Sequence, residues 1–95
     1  MLYTIATSPF HCDFTAILRL IAPDDAVLLI QDGVIAAVSQ STHLRELQQK
    51  GARVYALDAD VNARGLQNMI SEQVSLASYR DFVQLTVSHK QHFAL

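Results

Sequence analysis

The chain has 95 residues, 51% of them apolar and 17% charged, with 7 Lys plus Arg against 9 Asp plus Glu for a net charge of −2. That length supports one hydrophobic core and no second, so residues 1–95 are read as a single domain. A weakly acidic chain with no run of Lys or Arg lacks the footprint of a phosphate-gripping protein, and autonomous nucleic-acid binding is not expected.

Residues 2–7 are rich in β-branched and aromatic side chains and are stopped by Ser8-Pro9, the pattern of a strand. From Asp13, a suitable N-cap, Phe14, Ile17, Leu18 and Ile21 recur at i, i+3, i+4, i+7 and predict one apolar helix face that Pro23 terminates. Residues 26–30 (AVLLI) have no polar alternation, as expected of a strand covered on both faces. Gln31-Asp32-Gly33 breaks that strand, and residues 34–38 are read as the start of a short helix. A helical piece over residues 43–50 carries Leu44 and Leu47, with Gly51 placed to end it. Residues 53–57 (RVYAL) form the third predicted strand, and Asp58 and Asp60 suit the positive end of a following helix that Gly65 closes. Residues 74–77 are a weak fourth strand. Ser78 and Asp81 then have capping-box spacing ahead of a helix face marked by Tyr79, Phe82, Val83 and Thr86. The tail after His89 carries no pattern and is read as unstructured.

Strands alternating with helices predict an α/β fold: one small domain with a mostly parallel sheet of four or five strands flanked by helices. In such sheets ligands lie beyond the carboxyl ends of the strands, here residues 7–9, 31–33, 57–59 and 77–78. The apolar stretches 26–30 and 34–38 are five residues each, far below the roughly 20 that span a bilayer, and residues 1–10 have no basic leader pattern. No membrane association is expected, and with Cys12 as the only cysteine a cytoplasmic location fits best.

Cys12 is the one candidate nucleophile. A position near a helix N-terminus favours the thiolate and His11 beside it could accept a proton, whereas the Asp13 carboxylate opposes ionisation. His89 and His92 are three apart, but a metal site needs a third or fourth ligand and none is close in sequence, so no metal is expected. Asp24-Asp25 precedes the second strand, at the amino end of the sheet, and reads as a polar turn rather than a phosphoacceptor pair. Three glycines, at 33, 51 and 65, make no phosphate loop or dinucleotide fingerprint, and no serine sits in G-x-S-x-G, so no cofactor is expected. Gly33 reads as the element of a sharp turn after a buried strand.

The order MLYTIATSP, LLIQDGVIAAV, VYALDADVNARG, SYRDFVQLTV, running from residue 1 to about 89, closely resembles the DsrH family of small sulfur-relay proteins. The resemblance implies a DsrE/F/H-like fold and a complex with TusC-like and TusD-like subunits in a dimer of heterotrimers, a heterohexamer. In that relay TusA hands a persulfide sulfur to a cysteine of the TusD-like subunit. A TusE-like acceptor then carries it to the enzyme that thiolates the wobble uridine, giving 5-methylaminomethyl-2-thiouridine in tRNA. The relay cysteine belongs after the third strand, where this chain reads Ala56-Leu57-Asp58-Ala59-Asp60, and residues 15–20 hold no cysteine either. What carries over is the role of a partner subunit with no catalytic residue. The high apolar fraction beside charge well below the usual 25% or so agrees with a chain built for contact. Val34, Ile35, Val38, Tyr79, Phe82 and Phe93 are the interface candidates. The competing function is a redox or sulfur-carrier protein holding a persulfide on Cys12.

Overall fold

The computed structural model describes residues 1–95. Strand β1 (Leu2–Ile5) leads through a loop to helix α1 (Phe14–Leu20), and β2 (Ala26–Leu29) runs into a 3-10 helix (Gln31–Ala37) and α2 (Thr42–Gln49). Next come β3 (Arg53–Leu57), α3 (Asp58–Ala63), β4 (Ser75–Ala77), α4 (Tyr79–Ser88) and β5 (His92–Ala94). The strands form one sheet in the order β4-β3-β2-β1-β5, with every neighbouring pair parallel.

The unbroken apolar runs of β1 and β2 follow from coverage on both faces. Tyr3, Ile5, Val27, Leu29, Val54 and Ala56 face a large core completed by Phe14, Ile21, Val34, Leu44, Leu47 and Val61. Leu2, Ala26, Leu28 and Ala77 point the other way into a smaller cluster closed by Phe82 and Leu85. One sheet face is thus covered by α1, the 3-10 helix, α2 and α3, and the other by α4 alone.

Local chemistry sets the helix boundaries. Asp13 accepts a hydrogen bond from Ala16 N–H at 3.1 Å, capping α1, and Ser41 accepts from Leu44 N–H at 3.3 Å, capping α2. Gly51, with φ +83°, ends α2 in a conformation other residues resist. At α4 both halves of the capping box form: Asp81 N–H donates to Ser78 Oγ at 3.1 Å and Ser78 N–H donates to Asp81 Oδ2 at 2.9 Å. The Ser78 backbone N–H first, and then the Ser78 side chain, hold the Asp81 carboxyl below its ordinary pKa. A depressed carboxylate pKa contributes stability above the unfolded value of about 4, and that stability is lost as pH falls through the folded pKa. Ser78→Ala is expected to lower stability by about 1 kcal/mol near neutral pH, with a smaller difference in acid, as read by urea denaturation at several pH values.

Three expectations are corrected. β1 ends at Ile5 rather than residue 7, since Thr7 is exposed and the turn toward Ser8 has begun. The helix expected at 34–38 starts earlier, at Gln31, and is a 3-10 helix whose Val34, Ala36 and Ala37 are buried in the large core. The tail is not unstructured: β5 lies beside β1 with Leu2, Tyr3 and Thr4 aligned to His92, Phe93 and Ala94. That pairing joins residues about 90 apart, and three residues of mixed type hold no periodicity a local reading could detect.

Candidate functional site

At the carboxyl end of the sheet, two sequence motifs 32 residues apart meet. The 3-10 helix opens on Gln31 with φ +49°, and its N–H donates to Asp60 Oδ2 of α3 at 2.7 Å. Arg64 donates from Nε and Nη2 to Asp32 Oδ1 at 3.1 and 3.0 Å, and from Nη1 to the Asp60 carbonyl at 3.3 Å. The Asp pair after β3 therefore does more than favour a helix dipole. Asp60 satisfies a backbone donor in a strained turn, and Arg64 ties the turn after β2 to the helix after β3. Asp32, though 65% exposed, is engaged by Arg64 through one oxygen, and the arrangement acts as a clamp between the two loops.

Beside the clamp, the β1–α1 loop turns on buried Ser8, whose Oγ accepts from Phe10 N–H at 3.3 Å and whose carbonyl accepts from His11 N–H at 2.9 Å. This turn holds Phe10 out, 74% exposed, edge-on to the His43 ring at 5.1 Å, with Phe14 at 4.8 Å from the same ring. Phe10, Ile35 and Val38 with the polar 39–43 turn line a shallow depression of about 340 Å³. Residues 33–44 carry no Asp, Glu, Lys or Arg. The depression is thus lined by three apolar and five polar residues.

Cys12 lies next to this rim, half-buried and packed on the large core. Burial first, and then the Asp13 charge, push its thiol pKa up, so the position near the helix N-terminus does not activate it. No hydrogen bond joins the thiol to His11. His89 and His92 serve different partners: His89 Nδ1 is 2.8 Å from the Leu85 carbonyl, and His92 Nε2 is 3.3 Å from Thr4 Oγ1. Asp24 and Asp25 form a turn at the amino end, Asp24 with φ +70° and Asp25 accepting from Ala22 N–H at 2.9 Å.

The six interface candidates fall in separate places. Val34 is 0% exposed within the chain's own core, which removes it from the surface and corrects that expectation, while Ile35 and Val38 are half-buried at the rim. Tyr79, 63% exposed, heads a stripe on the outer side of α4 that continues through Val83 and Val87 at i+4 and i+8. Phe82 is half-buried beneath α4, edge-on to His92 at 6.4 Å. Phe93 stacks on Tyr3 at 6.1 Å with half its surface free. Phe10 and Val87 went unnoticed in the sequence, and the single helix face expected from Tyr79, Phe82 and Val83 is divided, with Tyr79 and Val83 outward and Phe82 packed on the smaller cluster. The helical spacing from Tyr79 was a usable signal for Val87, and an aromatic in an otherwise polar loop was the signal for Phe10.

Comparison with known proteins gives a consistent set of relatives. A family model described as DsrH like protein matches residues 7–92. The chain is 48% identical over 94 residues to Protein TusB of Photorhabdus laumondii and 49% identical to Protein TusB of Yersinia pestis, covering 99% of both chains in each case. Among solved structures, the YchN protein of E. coli has a TM-score of 0.78 at 15% identity, covering 99% of this chain and 97% of that one. A Thermotoga maritima protein solved by NMR has a TM-score of 0.68 at 26% identity over 96% of this chain and 97% of its own. No helix is long and apolar enough to cross a membrane.

Proposed function

The chain belongs to the DsrH family, and from that membership we propose that it is a non-catalytic subunit of the sulfur relay that 2-thiolates the wobble uridine of tRNA. The observation that carries this reading is the near full-length similarity to relatives that share the name TusB. Two structural facts support it. The position after β3 opens helix α3 with Asp58 and no thiol, and the one thiol, Cys12, has its pKa pushed up by burial and by Asp13. A thiol with a raised pKa is a poor acceptor or donor of persulfide sulfur at neutral pH, because the thiolate is the reacting species.

In this reading the partners are related TusC-like and TusD-like subunits in a dimer of heterotrimers, with a TusE-like acceptor reached through the complex, and the relay works in the cytoplasm. The rim of Phe10, Ile35 and Val38 meets one related subunit, and the Tyr79 stripe on α4 offers a second contact face. Transfer of sulfur takes place on a partner's cysteine, and this chain shapes and completes the assembly. The tRNA is handled downstream, since the surface has no basic stripe to hold it.

Cys12→Ser provides the test. In a strain whose only copy carries the substitution, the 2-thiouridine content of tRNA is expected to stay within about twofold of the unsubstituted strain, because no bond-making step uses this sulfur. Loss equal to that of a gene deletion, with the protein folded and assembled, would instead assign the sulfur-carrier role to Cys12.

A further inference from the structure

Asp32-Gly33 is the one Asp-Gly or Asn-Gly pair in the chain. Such pairs are prone to rearrange, because glycine has no side chain to shield its nitrogen from the carboxyl before it. In the reaction the Gly33 nitrogen attacks Cγ of the protonated Asp32 carboxyl. An N–Cγ bond forms as a Cγ–O bond breaks, and the amide proton and the hydroxyl leave together as one water. Water then opens the five-membered imide: cleavage at Cγ restores aspartate, and cleavage at the main-chain carbonyl leaves the chain running through Cγ, as isoaspartate. Water is the only co-reactant, and the net change is an isomerisation.

Each half of the reaction is held by a different partner. Gly33 N–H donates to the Ile30 carbonyl at 2.8 Å, and the place of its missing Cβ lies 2.0 Å from the Ile5 carbonyl oxygen, so the 32–33 peptide has no room to turn toward β1. The Asp32 carboxylate is 65% exposed and open to water, yet Arg64 donates to its Oδ1 from Nε at 3.1 Å and from Nη2 at 3.0 Å. Arg64 is its one side-chain partner. Gln31, just ahead, has φ +49°, a strained conformation for a residue with a Cβ, and the Asp60 carboxylate holds it through Gln31 N–H at 2.7 Å.

We propose that Asp32-Gly33 is a latent isomerisation site guarded by Arg64. While Arg64 holds Oδ1, the carboxyl cannot swing onto the Gly33 nitrogen. When Arg64 lets go, the turn, already strained at Gln31, opens and the imide forms. The product does not fit the fold: isoaspartate lengthens the main chain by one methylene between residues 32 and 33, where Gly33 has no spare room and Val34, Ala36 and Ala37 are anchored in the core. The inference goes beyond the relay role and does not depend on it.

The test is the rate of isoaspartate formation in the purified chain at neutral pH. The tryptic peptide 20–45 is separated into its isomeric forms, with fragmentation assigning the change to residue 32. Arg64→Gln is expected to raise the rate roughly 5-fold to 10-fold, the loss of two charge-assisted hydrogen bonds partly screened by water. Ser78→Ala weakens the fold at α4 and leaves the clamp untouched, so it controls for general loosening and is expected to keep the original rate. Salt reads the same restraint without a substitution. Raising sodium chloride from about 0.01 M to about 1 M shortens the screening length from about 30 Å to about 3 Å, and is expected to speed the unsubstituted chain about twofold and to leave Arg64→Gln unmoved. An unchanged rate in Arg64→Gln, equal acceleration by Ser78→Ala, or an unsubstituted chain indifferent to salt overturns the proposal. So does a folded chain that isomerises as fast as the same chain unfolded in guanidinium.

Discussion

Gly33→Ala is expected to lower the stability of the fold by roughly 3 kcal/mol or more, the upper range for forcing an atom into a packed interior. A Cβ on this residue would lie 2.0 Å from the Ile5 carbonyl oxygen and 2.9 Å from its carbon. Both are backbone atoms, and neither can swing aside as a side chain does. The Ile5 carbonyl accepts a hydrogen bond from Ile30 N–H at 3.0 Å, and Gly33 N–H closes the turn on the Ile30 carbonyl at 2.8 Å. Relieving the clash therefore means separating the carboxyl ends of β1 and β2, or unwinding the 3-10 helix that carries Val34 into the core. Gly65→Ala serves as the comparison. It has φ +66° and nothing within 4 Å of the added Cβ, so only the left-handed backbone penalty of about 1–2 kcal/mol applies. Urea denaturation of both variants reads the difference. Equal midpoints would show that the contact at Ile5 relaxes freely and that Gly33 is an ordinary turn residue.

The contrast between those glycines marks what could be read from the sequence. Where a feature is local, residue chemistry was sufficient: Asp13 and Ser78 as caps, Gly51 as a helix end, and the unbroken apolar run of β2 as a strand buried on both faces. The parallel α/β class followed from the alternation of such elements. Where a feature depends on residues far apart, nothing local betrayed it. β5 exists because β1 offers it a ladder, and Val34 is core because the turn before it passes under Ile5. The same holds for the carboxyl-end site. Asp32 and Arg64 appear in the sequence as ordinary surface charges and Asp60 as a helix-start residue, and only folding brings Arg64 to 3.0 Å from Asp32 and Asp60 to 2.7 Å from the Gln31 N–H. For Cys12 the sequence named both opposing influences, the helix N-terminus and Asp13. Burial against the core decided between them, and burial is a tertiary property.

Phe10→Asp is expected to reduce tRNA 2-thiouridine to the level of a gene deletion while leaving the chain folded. Phe10 is mostly exposed, so its removal forfeits little beyond the ring contact with His43, about 0.5–1.5 kcal/mol. In a subunit interface the same ring would sit at a desolvated centre with Ile35 and Val38. Losing an aromatic anchor there weakens association by about 2 kcal/mol, some 30-fold, and leaving a carboxylate unpaired in its place adds about 3–5 kcal/mol. The sum exceeds what a working complex tolerates, whereas the folding loss alone stays within the stability of a small domain. Two measurements separate these outcomes: far-UV dichroism with thermal melting of the purified variant, and co-purification of the partner subunits from the strain that carries it. Phe10→Leu, which keeps an apolar side chain at the rim, is expected to restore most of the thiolation. A folded Phe10→Asp protein that retains its partners and thiolates normally would move the contact away from the carboxyl end of the sheet and onto the Tyr79 stripe of α4.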